Sequence, residues 1–145
     1  MPKKEPIISL ELPQGPLSPE TEAYFAKCEE KLGLVPNVLL AYAFNEKKLR
    51  CFTDLYNDLM LADSELSKLE REMIAVVVSS ANRCHYCLVA HGAAVRELSG
   101  DPILGETLVA NYRAAKLTKK QRAMLDYAWR LTATPMDIGE ADNRA

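Results

Sequence analysis

Signals that open and close α-helices recur along nearly the whole chain and leave little room for anything else. Ser18 before Pro19, with Glu20 and Glu22 behind, has the form of a helix start. The hydroxyl caps free N–H groups, the ring needs no N–H of its own, and the acids sit at the positive end of the dipole. The helix it opens runs through Tyr24, Cys28 and Leu32 to Gly33, a glycine placed to close it. Leu34-Val35-Pro36-Asn37 reads as a turn and Val38–Phe44 as a short apolar helix. Asn45 caps a third helix, whose apolar residues Leu49, Phe52, Leu55, Tyr56, Leu59 and Met60 fall three and four apart.

Asp63 and Ser64 break that pattern and offer the next cap, so a fourth helix is expected from Glu65 to Ala81, with Leu66, Leu69, Met73, Ile74 and Val77 inward. Val76-Val77-Val78 favours strand locally, but its periodic flanks outweigh three residues. Asn82-Arg83 is a break, with Asn82 the residue expected to take the left-handed conformation. A fifth helix is expected from Cys84 to Leu98, closed by Ser99-Gly100, and Asp101-Pro102 opens a sixth to Asn111. Thr118 and Gln121 form a capping box for a helix carrying Met124, Leu125, Ala128 and Trp129, which Pro135 stops. The last residues, from Gly139, begin one more helix, so the C-terminus at Ala145 reads as trimmed.

The expected fold is therefore all-α, a single-domain helical bundle over residues 18–145, with no linker, repeat or low-complexity segment. Residues 1–17 hold Pro2, Pro6, Pro13 and Pro16, which forbid a stable helix. Ile7, Ile8, Leu10 and Leu12 between them suit an extended arm laid on a surface, its own or a partner subunit's.

A chain of 145 residues with 48% hydrophobic and 26% charged residues is ordinary for one globular core. A net charge of −2, with clustered lysines such as Lys47-Lys48 and Lys119-Lys120 only in pairs, advertises no face for nucleic acid. The longest apolar run, Ile74–Val78, falls far short of the ~20 residues of a membrane span. No apolar block follows the N-terminus as a secretory signal requires. A cytoplasmic protein without membrane contact is expected. In that reducing compartment four cysteines do not form a disulfide framework. Cys28 and Cys51, single in helical patterns, read as small buried hydrophobes.

Reactive side chains concentrate between Glu72 and His91. Cys84 and Cys87 make a C-x-x-C, and His91 follows Cys87 by four residues. At the start of a helix the two sulfurs share a face and approach bonding distance, and the helix terminus favours thiolate, most of all at Cys84. His91 lies one turn beyond Cys87 and can exchange a proton with it, directly or through water. These residues alone do not decide which sulfur attacks a substrate. Glu72 belongs to the preceding helix, so only the fold can bring it near. Tyr86 can bond a sulfur or a substrate, or pack, while His85 is expected to face solvent. Zinc held by Cys84, Cys87 and His91, with Glu72 completing the set, is the main chemical competitor, though the second paired motif usual in structural zinc sites is missing. Leu88 stands where c-type haem attachment needs histidine. The lack of a credible parallel strand argues against a thioredoxin fold.

Glu72, together with the run S-S-A-N-R-C-H-Y-C-L-V-A-H from Ser79 to His91, resembles the alkylhydroperoxidase D-like group of the carboxymuconolactone decarboxylase superfamily. Gly33-Leu-Val-Pro-Asn37 and the helix from Leu117-Thr118 to Trp129 resemble its peroxidase-related branch, and the likeness covers roughly residues 30–135. The resemblance implies an alkylhydroperoxidase D-like helical bundle with the C-x-x-C at the N-terminus of a central helix. It also implies homo-oligomers and a thiol peroxidase cycle with no bound cofactor. Carried over by position, Cys87 attacks a small-molecule peroxide and becomes a sulfenic acid, Cys84 resolves it as a Cys84–Cys87 disulfide, and Glu72 and His91 relay the proton. A dithiol or thiol-protein reductant resets the pair. The chain departs from the group at Tyr86, where the relatives carry a histidine directly before the second cysteine. Two other readings stand beside this one: a redox-responsive oligomeric interaction protein without efficient turnover, and a decarboxylase or isomerase relative using His91 and Glu72.

Overall fold

A computed structural model describes residues 12–144, and among them every regular element is helical. The all-α expectation therefore holds. Most of the arm expected over residues 1–17 lies outside the described residues; its described part, from Leu12, carries neither helix nor strand. The chain divides between Ala62 and Asp63 into two compact units, a boundary that no linker composition marked.

The first unit holds α1 (Pro19–Leu32), α2 (Asn37–Tyr42) and α3 (Glu46–Leu61). Ser18 caps α1, Gly33 closes it in the left-handed conformation with φ 73°, and Asn45 caps α3, all as the local signals require. Leu39, Ala43 and Leu49 are buried, and Tyr42 stacks on Phe52 with ring centroids 4.7 Å apart. Glu46 ties α3 to α1: its carboxylate accepts from the Ser18 hydroxyl at 2.7 Å and the Thr21 hydroxyl at 2.6 Å. Those bonds hold the Glu46 carboxyl below its ordinary value.

The second unit holds α4 (Lys68–Ala81), α5 (His85–Ser99), α6 (Pro102–Asn111), a turn of 3₁₀ helix at Tyr112–Ala114, α7 (Lys119–Ala133) and α8 (Glu140–Arg144). The start of α4 corrects the expectation of Glu65. Asp63 and Ser64 were the apparent caps, but Ser67 and Glu70 form a reciprocal capping box and the helix starts behind it. Leu66 consequently lies outside the helix. Met73, Val76 and Val77 of α4 are fully buried against Val95 of α5, Leu108 of α6 and Leu125 of α7. Val76 and Val77, β-branched as they are, sit in helix because both meet this core. Tyr112 closes one side, donating to the Asp126 carboxylate at 2.7 Å. Burial and that carboxylate push its phenol up to about 12, so it stays a donor.

Helices α5 and α6 approach so closely that a Cβ at Gly105 would lie 2.8 Å from the Gly92 carbonyl oxygen. At Gly92 a Cβ would meet nothing nearer than 3.6 Å. Alanine gains up to about 1 kcal/mol of helix propensity over glycine at either place. At Gly105 the obstacle is backbone and cannot step aside, so overpacking of about 1–3 kcal/mol outweighs the gain. Thermal unfolding should show Gly105→Ala destabilised and Gly92→Ala as stable as the parent; equal melting temperatures for both would refute the close contact. Glu46 supplies the pH-dependent case. Its folded pKa lies below the unfolded value, so its contribution is present above the usual carboxylate range and is lost as pH falls through the folded value. The melting-temperature gap between wild type and Glu46→Gln should be widest near neutral pH and narrow progressively in acid.

Candidate thiol site between α4 and α5

Cys84 serves two helices at once. Its N–H donates to the Ser79 carbonyl at 3.0 Å and the Arg83 N–H to the Ser80 carbonyl at 3.1 Å, the paired bonds of a Schellman closure on α4. Its Sγ accepts from the Cys87 N–H at 3.4 Å, and its carbonyl accepts from the Leu88 N–H at 2.9 Å, so it is the N-cap of α5. The break expected at Asn82-Arg83 is present, but the left-handed residue is Arg83, with φ 54°, while Asn82 stays near helical at φ −81°. The cause is register. The left-handed position lies directly before the residue that donates the long closing bond, and Cys84 is that residue.

Cys84 and Cys87 are joined as a disulfide, with Cα atoms 5.4 Å apart, inside the ordinary span of such a bridge. Both are half-buried. His91 stands one turn beyond Cys87 on the same face of α5, which puts their Cβ atoms about 5–6 Å apart. Its Nδ1 lies 2.7 Å from Oε2 of Glu72, and the two side chains are only 21% and 12% exposed. Packing of α4 on α5 makes this contact across 19 residues of sequence. A Glu72 carboxylate accepts from Nδ1–H, which fixes the tautomer and leaves Nε2 as the basic nitrogen of the neutral ring.

The fold thus brings Cys84 to Cys87 and Glu72 to His91. Tyr86, on the first turn of α5, is 42% exposed, and His85 is exposed as expected. Among the described residues no group of three or more His, Cys, Asp and Glu side chains converges as a metal site. Cys28 and Cys51 lie in the first unit, away from this sequence region. Cys28 is half-buried, and burial pushes its thiol up, whereas Cys51 is exposed and so is not the core filler expected. Arg83, between the end of α4 and Cys84, is exposed.

An all-helical fold with a helix-capping C-x-x-C and a part-buried Glu–His pair defines a class, and known proteins share it. Residues 46–102 match the carboxymuconolactone decarboxylase family. The structure is similar to an uncharacterized peroxidase-related protein from Silicibacter sp. TM1040, at 63% identity and a TM-score of 0.90, over 99% of this chain and 75% of that one. It is also similar to an alkylhydroperoxidase core, an uncharacterized peroxidase-related protein from Ralstonia eutropha JMP134. There the identity is 37% and the TM-score 0.88, over 97% of this chain and 74% of that one. No curated protein matches the sequence. The chain belongs to the alkylhydroperoxidase D-like branch of the carboxymuconolactone decarboxylase superfamily. Among the described residues no helix is long and apolar enough to cross a membrane.

The Glu72–His91 bond makes a spectroscopic prediction. In wild type, long-range ¹⁵N–¹H spectra of the neutral ring should show His91 protonated at Nδ1. Glu72→Ala should shift it towards the Nε2-protonated form and cost about 1–3 kcal/mol of stability, because a largely buried donor loses its partner. An unchanged tautomer in the variant would show that the carboxylate does not set it.

Proposed function

We propose that the chain is a thiol-dependent peroxidase that cycles the Cys84–Cys87 pair between dithiol and disulfide. The observation that carries this reading is the Glu72–His91 hydrogen bond, one helical turn beyond Cys87 in a helix that Cys84 caps. Nε2 of His91 takes the proton of the Cys87 thiol, directly or through a water. The Cys87 thiolate attacks one peroxide oxygen, the O–O bond breaks, and the departing alkoxide receives a proton to leave as alcohol. The Glu72 carboxylate stabilises the imidazolium formed in between. Cys87 is then a sulfenic acid. Cys84 attacks its sulfur, the disulfide forms and water is released. An external dithiol returns two electrons and two protons by exchange.

Cys87 takes the attacking role because histidine stands beside it. Cys84 takes the resolving role because its Sγ already accepts the Cys87 N–H, which favours its thiolate. Family membership and the peroxidase-related names of the similar structures support the same reading. Tyr86 is 42% exposed on the first turn of α5, one residue before Cys87.

Stopped-flow peroxide consumption with a dithiol donor tests the cycle. Cys87→Ser should fall to the uncatalysed background, and Cys84→Ser should give one turnover and accumulate a sulfenic acid that dimedone traps. Full turnover in Cys87→Ser would sink the proposal. Conversion of a carboxymuconolactone-type substrate by a protein lacking both cysteines would instead favour acid–base chemistry at His91 and Glu72.

A further inference from the structure

We propose that Arg83 is a positioning residue for the thiol pair, and that its guanidinium raises the thiolate fraction of Cys84. The backbone supplies the first reason. Arg83 closes α4 with φ 54°, where a side chain carries a steric penalty that glycine avoids. Among the described residues the other two left-handed closures, at Gly33 and Gly100, both use glycine. Packing supplies no reason for arginine. Arg83 is exposed, and it makes no ion pair or side-chain hydrogen bond with the described residues. The fold alone would be served better by glycine.

Position supplies the second reason. Arg83 immediately precedes Cys84, so a permanent cation is tethered within about one side-chain length of Sγ. That sulfur already accepts the Cys87 N–H at the positive end of α5. Two titratable neighbours, His85 and Tyr86, stand on the first turn of α5 and are exposed as Arg83 is, and are common to every variant compared below; the remaining charged groups on the elements around it are engaged or distant. Glu72 of α4 is bonded to His91, on the side of α5 beyond Cys87. Glu106 of α6 is paired with Arg96, three turns along α5. Lys68, Glu70 and Arg71 stand at the opposite end of α4, about 15 Å or more from its C-terminus by the helical rise. A unit charge roughly 7 Å away in a water-like dielectric moves a thiol by about half a unit, or roughly threefold in thiolate fraction below its titration.

The inference deepens the peroxidase reading but is measured without it. Reduced protein is alkylated with iodoacetamide across the thiol titration range, and the Cys84 rate is followed by peptide mass spectrometry. Arg83→Gly should melt at the same temperature as wild type or higher, yet be alkylated at Cys84 about threefold more slowly below the thiol titration. Arg83→Asn, neutral and tolerant of the left-handed region, should match it in rate, and Arg83→Lys should restore most of the wild-type rate. Raising the salt should shrink the difference, since the charge is exposed. A Cys84 profile identical in wild type, Arg83→Gly and Arg83→Asn overturns the role of Arg83 and leaves peroxide turnover untouched. A wild-type protein that consumes no peroxide, while the profile moves as stated, overturns the peroxidase reading alone.

Discussion

The bond from the Cys84 N–H to the Ser79 carbonyl governs the second unit. It stops α4, and because the same residue caps α5, it reverses the chain within Asn82, Arg83 and Cys84. Two helices joined so tightly must pack along their lengths. Met73, Val76 and Val77 then meet Val95, and the core with Leu108 and Leu125 forms on that pairing. The same turn places two sulfurs at a helix start. Fold and candidate chemistry therefore share one residue.

This economy also explains how a largely buried carboxylate and imidazole coexist in an apolar interface. Each satisfies the other through a 2.7 Å bond. Neither is stranded without a partner, which would cost more than the pair contributes. The bond occupies Nδ1 and leaves Nε2 outside it. A carboxylate on Nδ1 favours one orientation and one tautomer of the ring.

Much of this was legible in the residues, and the misses have physical causes. Ser18, Asn45, Asp101 and Thr118 were read as caps, and Gly33 and Gly100 as closures, because capping is settled within about one helical turn. The α4 start was misread at Glu65 because three polar residues compete there, and the reciprocal Ser67–Glu70 box outweighs single caps at Asp63 or Ser64. Asn82 was preferred to Arg83 on intrinsic tendency. The closure is set by which N–H reaches back to Ser79, and tendency does not decide that. Cys51, single in a helical pattern, reads as core, yet it is exposed on a helix whose buried residue is Leu49.

The sequence by itself determined the helices, the order in which they follow, the C-x-x-C at a helix start and the histidine one turn beyond. These are relations between residues close along the chain, where periodicity and hydrogen bonding act directly. The tertiary structure alone decided that Glu72 reaches His91 and that Gly105 lies against the Gly92 carbonyl. Each of those depends on how α4, α5 and α6 are set against one another. That setting is chosen by the whole buried core, and no short stretch of residues encodes it.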